Sequence, residues 1–129
     1  MRVLCVDDDY LVLMNTTMML EELGHEVTEA TSAAQALQRL GSGKFDLLVT
    51  DFAMPGMNGY ELILEVERRH PGTPVLMVSG YANLPDRAAT TVQQLGKPFS
   101  ESQLEAALAR ASIPTIAATP DEPSGRQPG

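Results

Sequence analysis

"RVLCVDDDYLVLMNTTMMLEELG", residues 2–24, decides the fold. Its first five residues are a short continuous apolar run, the pattern of a strand buried on both faces. Three acids follow at once: Asp7, Asp8 and Asp9. Residues 9–23 then read as a helix with a broad apolar face that includes Leu11, Met14 and Met18, and Gly24 closes it. A doubly buried strand running straight into a helix opens a parallel, helix-covered sheet.

The alternation continues downstream. "HEVTEA" (25–30) is a short alternating strand. Ser32 caps a second helix carrying Ala33, Leu37 and Leu40, closed by Gly41 and Gly43. "DLLVT" (46–50) is another buried strand, and Asn58 caps a third helix with Leu62, Ile63 and Val66 inward, stopped near His70-Pro71. "PVLMVS" (74–79) is a fourth strand and "VQQL" (92–95) a weak fifth. Ser100 caps a last helix in which Leu104, Ala107, Leu108 and Ala111 repeat at helical spacing. "YANLPDRAATT" (81–91) contains Pro85 and lacks an apolar stripe, so a helix there is short or irregular. The expected class is α/β: a doubly wound, five-stranded parallel sheet.

Composition sets bounds. The chain has 129 residues, enough for one domain with a real core. That domain is expected over residues 1–112. Residues 113–129, "IPTIAATPDEPSGRQPG", hold four prolines and few large apolar side chains, as in a disordered tail or linker. Seventeen acids against nine Lys and Arg give a formal net charge of -8, which disfavours nucleic-acid binding. Cys5 is the one cysteine and sits in the apolar run. It reads as a small buried hydrophobe, and without a disulfide partner it points to a reducing, cytoplasmic setting. No apolar stretch approaches the roughly 20 residues of a membrane span, and a chain that enters a strand at residue 2 leaves no room for a signal peptide.

In doubly wound sheets functional groups gather at the carboxyl ends of the strands. Here strand one ends at Asp7 and Asp8, strand three at Asp51, strand four at Ser79, and strand five near Lys97. Every strand but the second delivers a polar side chain to one rim. Crowded carboxylates repel, and a divalent cation removes the conflict. Magnesium takes one or two carboxylates and keeps waters and phosphate oxygens, which suits this set. Asp8 is the expected direct ligand and Asp7 a ligand through water, while Asp9 reads as the cap of the first helix. Taken singly, Asp51 beside Pro55, Gly56 and Gly59 is equally a turn former, Ser79 a turn hydroxyl and Lys97 a surface lysine. The joint occurrence makes a site. His25, after the cap glycine, reads as exposed, and His70 as a helix-end residue.

The motifs "VDDD" (6–9), "LLVTDFAMPGMNGYEL" (47–62), "LMVSGY" (76–81) and "GKPF" (96–99), in this order, closely resemble the receiver domains of two-component response regulators. The resemblance runs from residue 2 to about residue 112. It implies a flavodoxin-like sheet of order 2-1-3-4-5 and a cis Lys97-Pro98 peptide. It implies that Asp51 accepts a phosphoryl group from a phosphohistidine of a sensor histidine kinase or histidine phosphotransfer domain. Mg2+ would be held by Asp8, Asp51 and the backbone carbonyl of Ala53, with Asp7 outside. Lys97 would neutralise one phosphoryl oxygen, and Ser79 would hydrogen-bond another. The domain would be a signalling phosphoacceptor rather than an enzyme: an acid two residues after the nucleophile is needed to protonate a leaving group, and Ala53 stands there. Slow self-dephosphorylation is the most it would show.

Two departures stand out. The family usually carries a Tyr or Phe three residues before the active lysine, where this chain has Gln94, and Tyr81 is the nearest substitute. The stretch from Ser79 to Lys97 is also shorter than usual, and the combination of "SGYA" (79–82), a short fourth helix and "KPF" (97–99) is similar to receivers appended to hybrid sensor kinases. The same departures support an alternative, a degenerate receiver that binds partners without phosphorylation.

Overall fold

The computed structural model describes residues 1–79 and 93–111. The sequence-predicted helix within 81–91, Tyr81 and the 113–129 tail lie outside the described residues.

The first apolar run forms β1 (Arg2–Val6) and passes into α1 (Tyr10–Glu22). Then come β2 (Glu26–Ala30), α2 (Ala33–Ser42), β3 (Leu47–Asp51), α3 (Gly59–Arg69), β4 (Val75–Ser79), β5 (Gln93–Gly96) and α4 (Glu101–Ala111). The five strands form one parallel sheet in the order β2-β1-β3-β4-β5. The continuous apolar runs occupy the centre: β3 and β4 are buried throughout, and β1 from its second residue. The mixed sequences of β2 and β5 occupy the partly buried edges.

The sheet separates two cores. On one face Leu4, Val6, Leu48 and Met77 pack with Ala36 and Leu40 of α2 and with Leu62, Ile63 and Val66 of α3. On the other, Val3, Cys5, Val49, Leu76 and Val78 pack with Leu13 and Leu20 of α1 and with Leu104, Ala107 and Leu108 of α4. Strand alternation sends successive side chains to opposite faces, so each central strand serves both cores. Cys5 is 2% exposed, and burial pushes its thiol up to about 12, in keeping with a packing role.

Helix starts agree with the sequence. Asp9 accepts from the backbone N–H groups of Leu11 and Val12, Ser32 from Gln35, and Ser100 from Gln103. Asn58 and Glu61 form a reciprocal capping box at the start of α3. Two local expectations are corrected. Helix α2 continues through Gly41 and ends at Gly43. More consequentially, α1 buries Leu13, Thr16, Thr17 and Leu20, whereas Leu11, Met14 and Met18 face outward, Leu11 being 70% exposed. Helix α1 is apolar almost all round, so periodicity offered two stripes, and the angle at which it lies on β1 selected the one containing threonines.

Candidate functional site

Parallel strands point the same way, so their carboxyl ends share one rim, and the polar residues there meet. Asp51 is the last residue of β3, in register with Val78 and one position beyond the predicted strand end. It is 5% exposed, as is Asp7, while Asp8 is exposed. One carboxylate oxygen from each of Asp7, Asp8 and Asp51 falls within 4.8 Å of the others. Lys97, just past β5, spans the buried pair: its Nζ lies 2.8 Å from Oδ1 of Asp51 and 3.1 Å from Oδ2 of Asp7. Ser79 closes β4 beside them, 3% exposed, and its carbonyl accepts from the Lys97 backbone N–H at 2.7 Å. The Lys97-Pro98 peptide is cis, as the resemblance implies.

The electrostatics follow from burial. Loss of water raises the Asp51 carboxyl above the usual carboxylate range, the Lys97 hydrogen bond pulls it down, and the Asp7 charge adds to the rise. Burial alone would lower Lys97, but its hydrogen bonds to Asp51 and Asp7 outweigh that and hold the ammonium above its ordinary value. Three carboxylates thus face one ammonium. Among the described residues this leaves a deficit of two positive charges among carboxylate oxygens, which fits a hard divalent cation such as Mg2+.

Sequence reasoning brought Asp7, Asp8, Asp51, Ser79 and Lys97 to one rim, and the structure does so too. Ala53 lies two residues beyond Asp51 in the loop leading to α3, and it is exposed. Asp9 is engaged as a helix cap, and its own N–H donates to Oδ1 of Asp7 at 2.9 Å, so it steadies the rim.

Two supporting residues were not foreseen. Thr50 is wholly buried, and its hydroxyl donates to the Asp51 carbonyl. Gly59 donates its N–H to the Phe52 carbonyl at 2.8 Å. A Cβ there would collide with the Asp51 carbonyl oxygen and stand 2.9 Å from the Phe52 Cα. The first turn of α3 therefore lies directly against the strand end that carries Asp51. The Asn-Gly dipeptide was a visible signal, but it reads equally as an ordinary turn.

His25 and His70 stay apart from the rim. His25 is partly buried rather than exposed, because its Nδ1 meets the N-terminal ammonium at 3.0 Å. His70 ends α3 as expected. Among the described residues no helix is long and apolar enough to cross a membrane.

Comparison with known proteins agrees with this arrangement. The family model described as "Response regulator receiver domain" matches residues 3–109. The chain is 33% identical over 111 residues to the transcriptional regulatory protein GlrR of Escherichia coli strain K12, a match covering 83% of this chain and 25% of that protein. It is 40% identical over 111 residues to the sensor kinase CckA of Brucella abortus, covering 79% of this chain and 11% of that one. The chain thus spans a quarter or less of the length of these two relatives. In three dimensions it is similar to the response regulator TrrA of Thermotoga maritima, whose crystal structure holds Mg2+ and beryllofluoride. That match has a TM-score of 0.78 at 25% identity and covers 85% of this chain and 97% of that one. The same stretch occurs in a regulator and in a kinase, so the comparisons establish the domain and not its setting. The family match takes in the five strands but for Arg2 and all but the end of the last helix, and on that ground the chain belongs to the response regulator receiver domains of two-component signalling.

Proposed function

We propose that Asp51 accepts a phosphoryl group from a phosphohistidine of a sensor histidine kinase or histidine phosphotransfer domain. The observation that carries this is the setting of Asp51: a nearly buried carboxylate, held by Lys97 at 2.8 Å, with two further carboxylates within 4.8 Å. A surface turn former has no need of such surroundings. The Asp51 carboxylate attacks phosphorus, a P–O bond forms as the P–N bond breaks, and the electron pair returns to the imidazole nitrogen. Lys97 keeps its proton and stays positive, so it offsets charge on the transferring oxygens. Asp8, Asp51 and the Ala53 carbonyl would hold Mg2+, with Asp7 reaching it through water. Bound there, the ion supplies charge neutralisation and orients the phosphoryl oxygens. Ser79, buried at the end of the neighbouring strand β4, would hydrogen-bond a phosphoryl oxygen on Asp51, drawn by the roughly 1.5 to 2 negative charges that phosphorylation adds. Ala53 can donate no proton, so the acyl phosphate should turn over slowly.

The test is incubation with a small acyl phosphate and Mg2+, followed by intact mass. A gain of one phosphoryl group that vanishes in Asp51→Asn is expected. A chain that gains none, while still binding Mg2+, is instead a degenerate receiver.

A further inference from the structure

Asp9, the third of the adjacent acids, is used differently from the other two. Among the described residues the close carboxylate group is Asp7, Asp8 and Asp51, without Asp9. Its backbone is extended, at φ -88° and ψ 107°, and its carboxylate turns back onto the start of α1. Oδ1 of Asp9 accepts from the N–H of Leu11 at 3.0 Å and from that of Val12 at 3.3 Å. Its carbonyl accepts from the Leu13 N–H at 2.9 Å. Its own N–H donates in the other direction, to Oδ1 of Asp7 at 2.9 Å. One residue thus ties the helix to the rim.

The ties continue past Asp7. Oδ2 of Asp7 accepts from Lys97 Nζ at 3.1 Å, and the same Nζ donates to Oδ1 of Asp51 at 2.8 Å. A line of hydrogen bonds therefore runs from the first turn of α1 through Asp9, Asp7 and Lys97 to Asp51. Its helical end is fixed, because Leu13 and Leu20 hold α1 in the core and are wholly buried. Each oxygen of Asp7 is held by a donor from a different part of the chain, so its carboxylate plane has little freedom to turn. Mg2+ is strict about the angles of its ligands, and the partners of those ligands set the angles. Charge is the other thing that Asp9 could offer the rim. Its carboxylate lies on the N-terminus of α1, where the partial positive charge of the unpaired N–H groups answers it locally.

We propose that Asp9 is a positioning residue for the metal rim, acting through the helix cap and not through its charge. The cap fixes the N–H that orients Asp7, and Asp7 in turn steadies Lys97 against Asp51. The consequence for Mg2+ rests on the reading of the rim under the proposed function, whereas the link from cap to Asp7 does not. Asparagine and serine cap a helix about as well as aspartate and carry no charge, while alanine does not cap. The two roles are therefore separable.

Two measurements test it, both on the whole chain. The first is Mg2+ affinity by titration calorimetry at fixed ionic strength. Asp9→Ala should weaken binding roughly threefold to tenfold, the worth of one helix cap. Asp9→Asn and Asp9→Ser should stay within about twofold of wild type, because both keep the cap. Weakening in these two as large as in Asp9→Ala would make charge the agent, and no weakening in Asp9→Ala would leave the cap without effect on the rim; either result overturns the proposal. The second needs no metal: amide hydrogen exchange at residue 9, corrected for the intrinsic rate of each residue type. Exchange should be slow in wild type, Asp9→Asn and Asp9→Ser and faster in Asp9→Ala, and equal rates in all four overturn the link. If wild type binds no Mg2+ while the exchange rates follow this order, the link stands and the reading of the rim as a metal site falls.

Discussion

Asp51 is unusual because its charge is disfavoured where it sits. Burial raises its carboxyl above the ordinary range, and Lys97 only partly offsets this. A carboxyl whose pKa is raised on folding contributes stability that is present below the unfolded value, about 3.9, and is lost as pH rises through the folded value. Asparagine at this position carries no such dependence. In magnesium-free buffer, thermal denaturation should therefore show Asp51→Asn gaining on wild type between pH 4 and pH 7. A gap that stays constant or narrows would mean that the Lys97 hydrogen bond outweighs desolvation. Gly59 poses the opposite case, a residue defined by what it lacks. Its hydrogen leaves room for the Asp51 carbonyl and for the Phe52 backbone. Gly59→Ala should cost about 1–3 kcal/mol in urea denaturation, the usual penalty of overpacking, even though alanine is the better helix former.

Among the elements, α1 shows how packing overrides pattern. Leu11, Met14 and Met18 share an apolar stripe with Tyr10, yet that stripe faces outward. The buried stripe is Leu13, Thr16, Thr17 and Leu20. Chemical denaturation of single variants should separate the two. Leu13→Ala and Leu20→Ala should each cost about 2–5 kcal/mol, as cavities in a packed core do. Leu11→Ala and Met18→Ala should stay within about 0.5 kcal/mol of wild type. Similar losses from both pairs would mean that α1 lies on the sheet in another rotation. Helices α3 and α4 left less freedom. Each carries one apolar stripe and a mostly polar back, so the predicted Leu62, Ile63 and Val66, and Leu104, Ala107, Leu108 and Ala111, are all buried, joined in α3 by Gly59.

At the scale of the molecule, the sheet gathers charges from distant parts of the chain into one rim, so a ligand of that rim should be felt by the whole fold. A cation bound only by the native state stabilises by about 2.7 kcal/mol at a hundredfold excess over its Kd. Saturating Mg2+ should raise Tm measurably, and Asp8→Asn should abolish most of the rise while leaving the metal-free Tm near that of wild type, because Asp8 is exposed. A full Mg2+ response in Asp8→Asn would place the ion elsewhere. The sequence alone determined the order of the elements, the parallel sheet and the rim on which Asp7, Asp8, Asp51, Ser79 and Lys97 converge. Strand and helix periodicities are local, and parallel winding leaves few ways to connect them. Tertiary structure alone decided which stripe of α1 is inside, that Lys97 bridges Asp7 and Asp51 across 90 and 46 residues, and how closely Gly59 is pressed on β3. These depend on sheet register and on the angle at which helices lie across it, which are set by the sum of contacts over the whole chain rather than by any short run of residues.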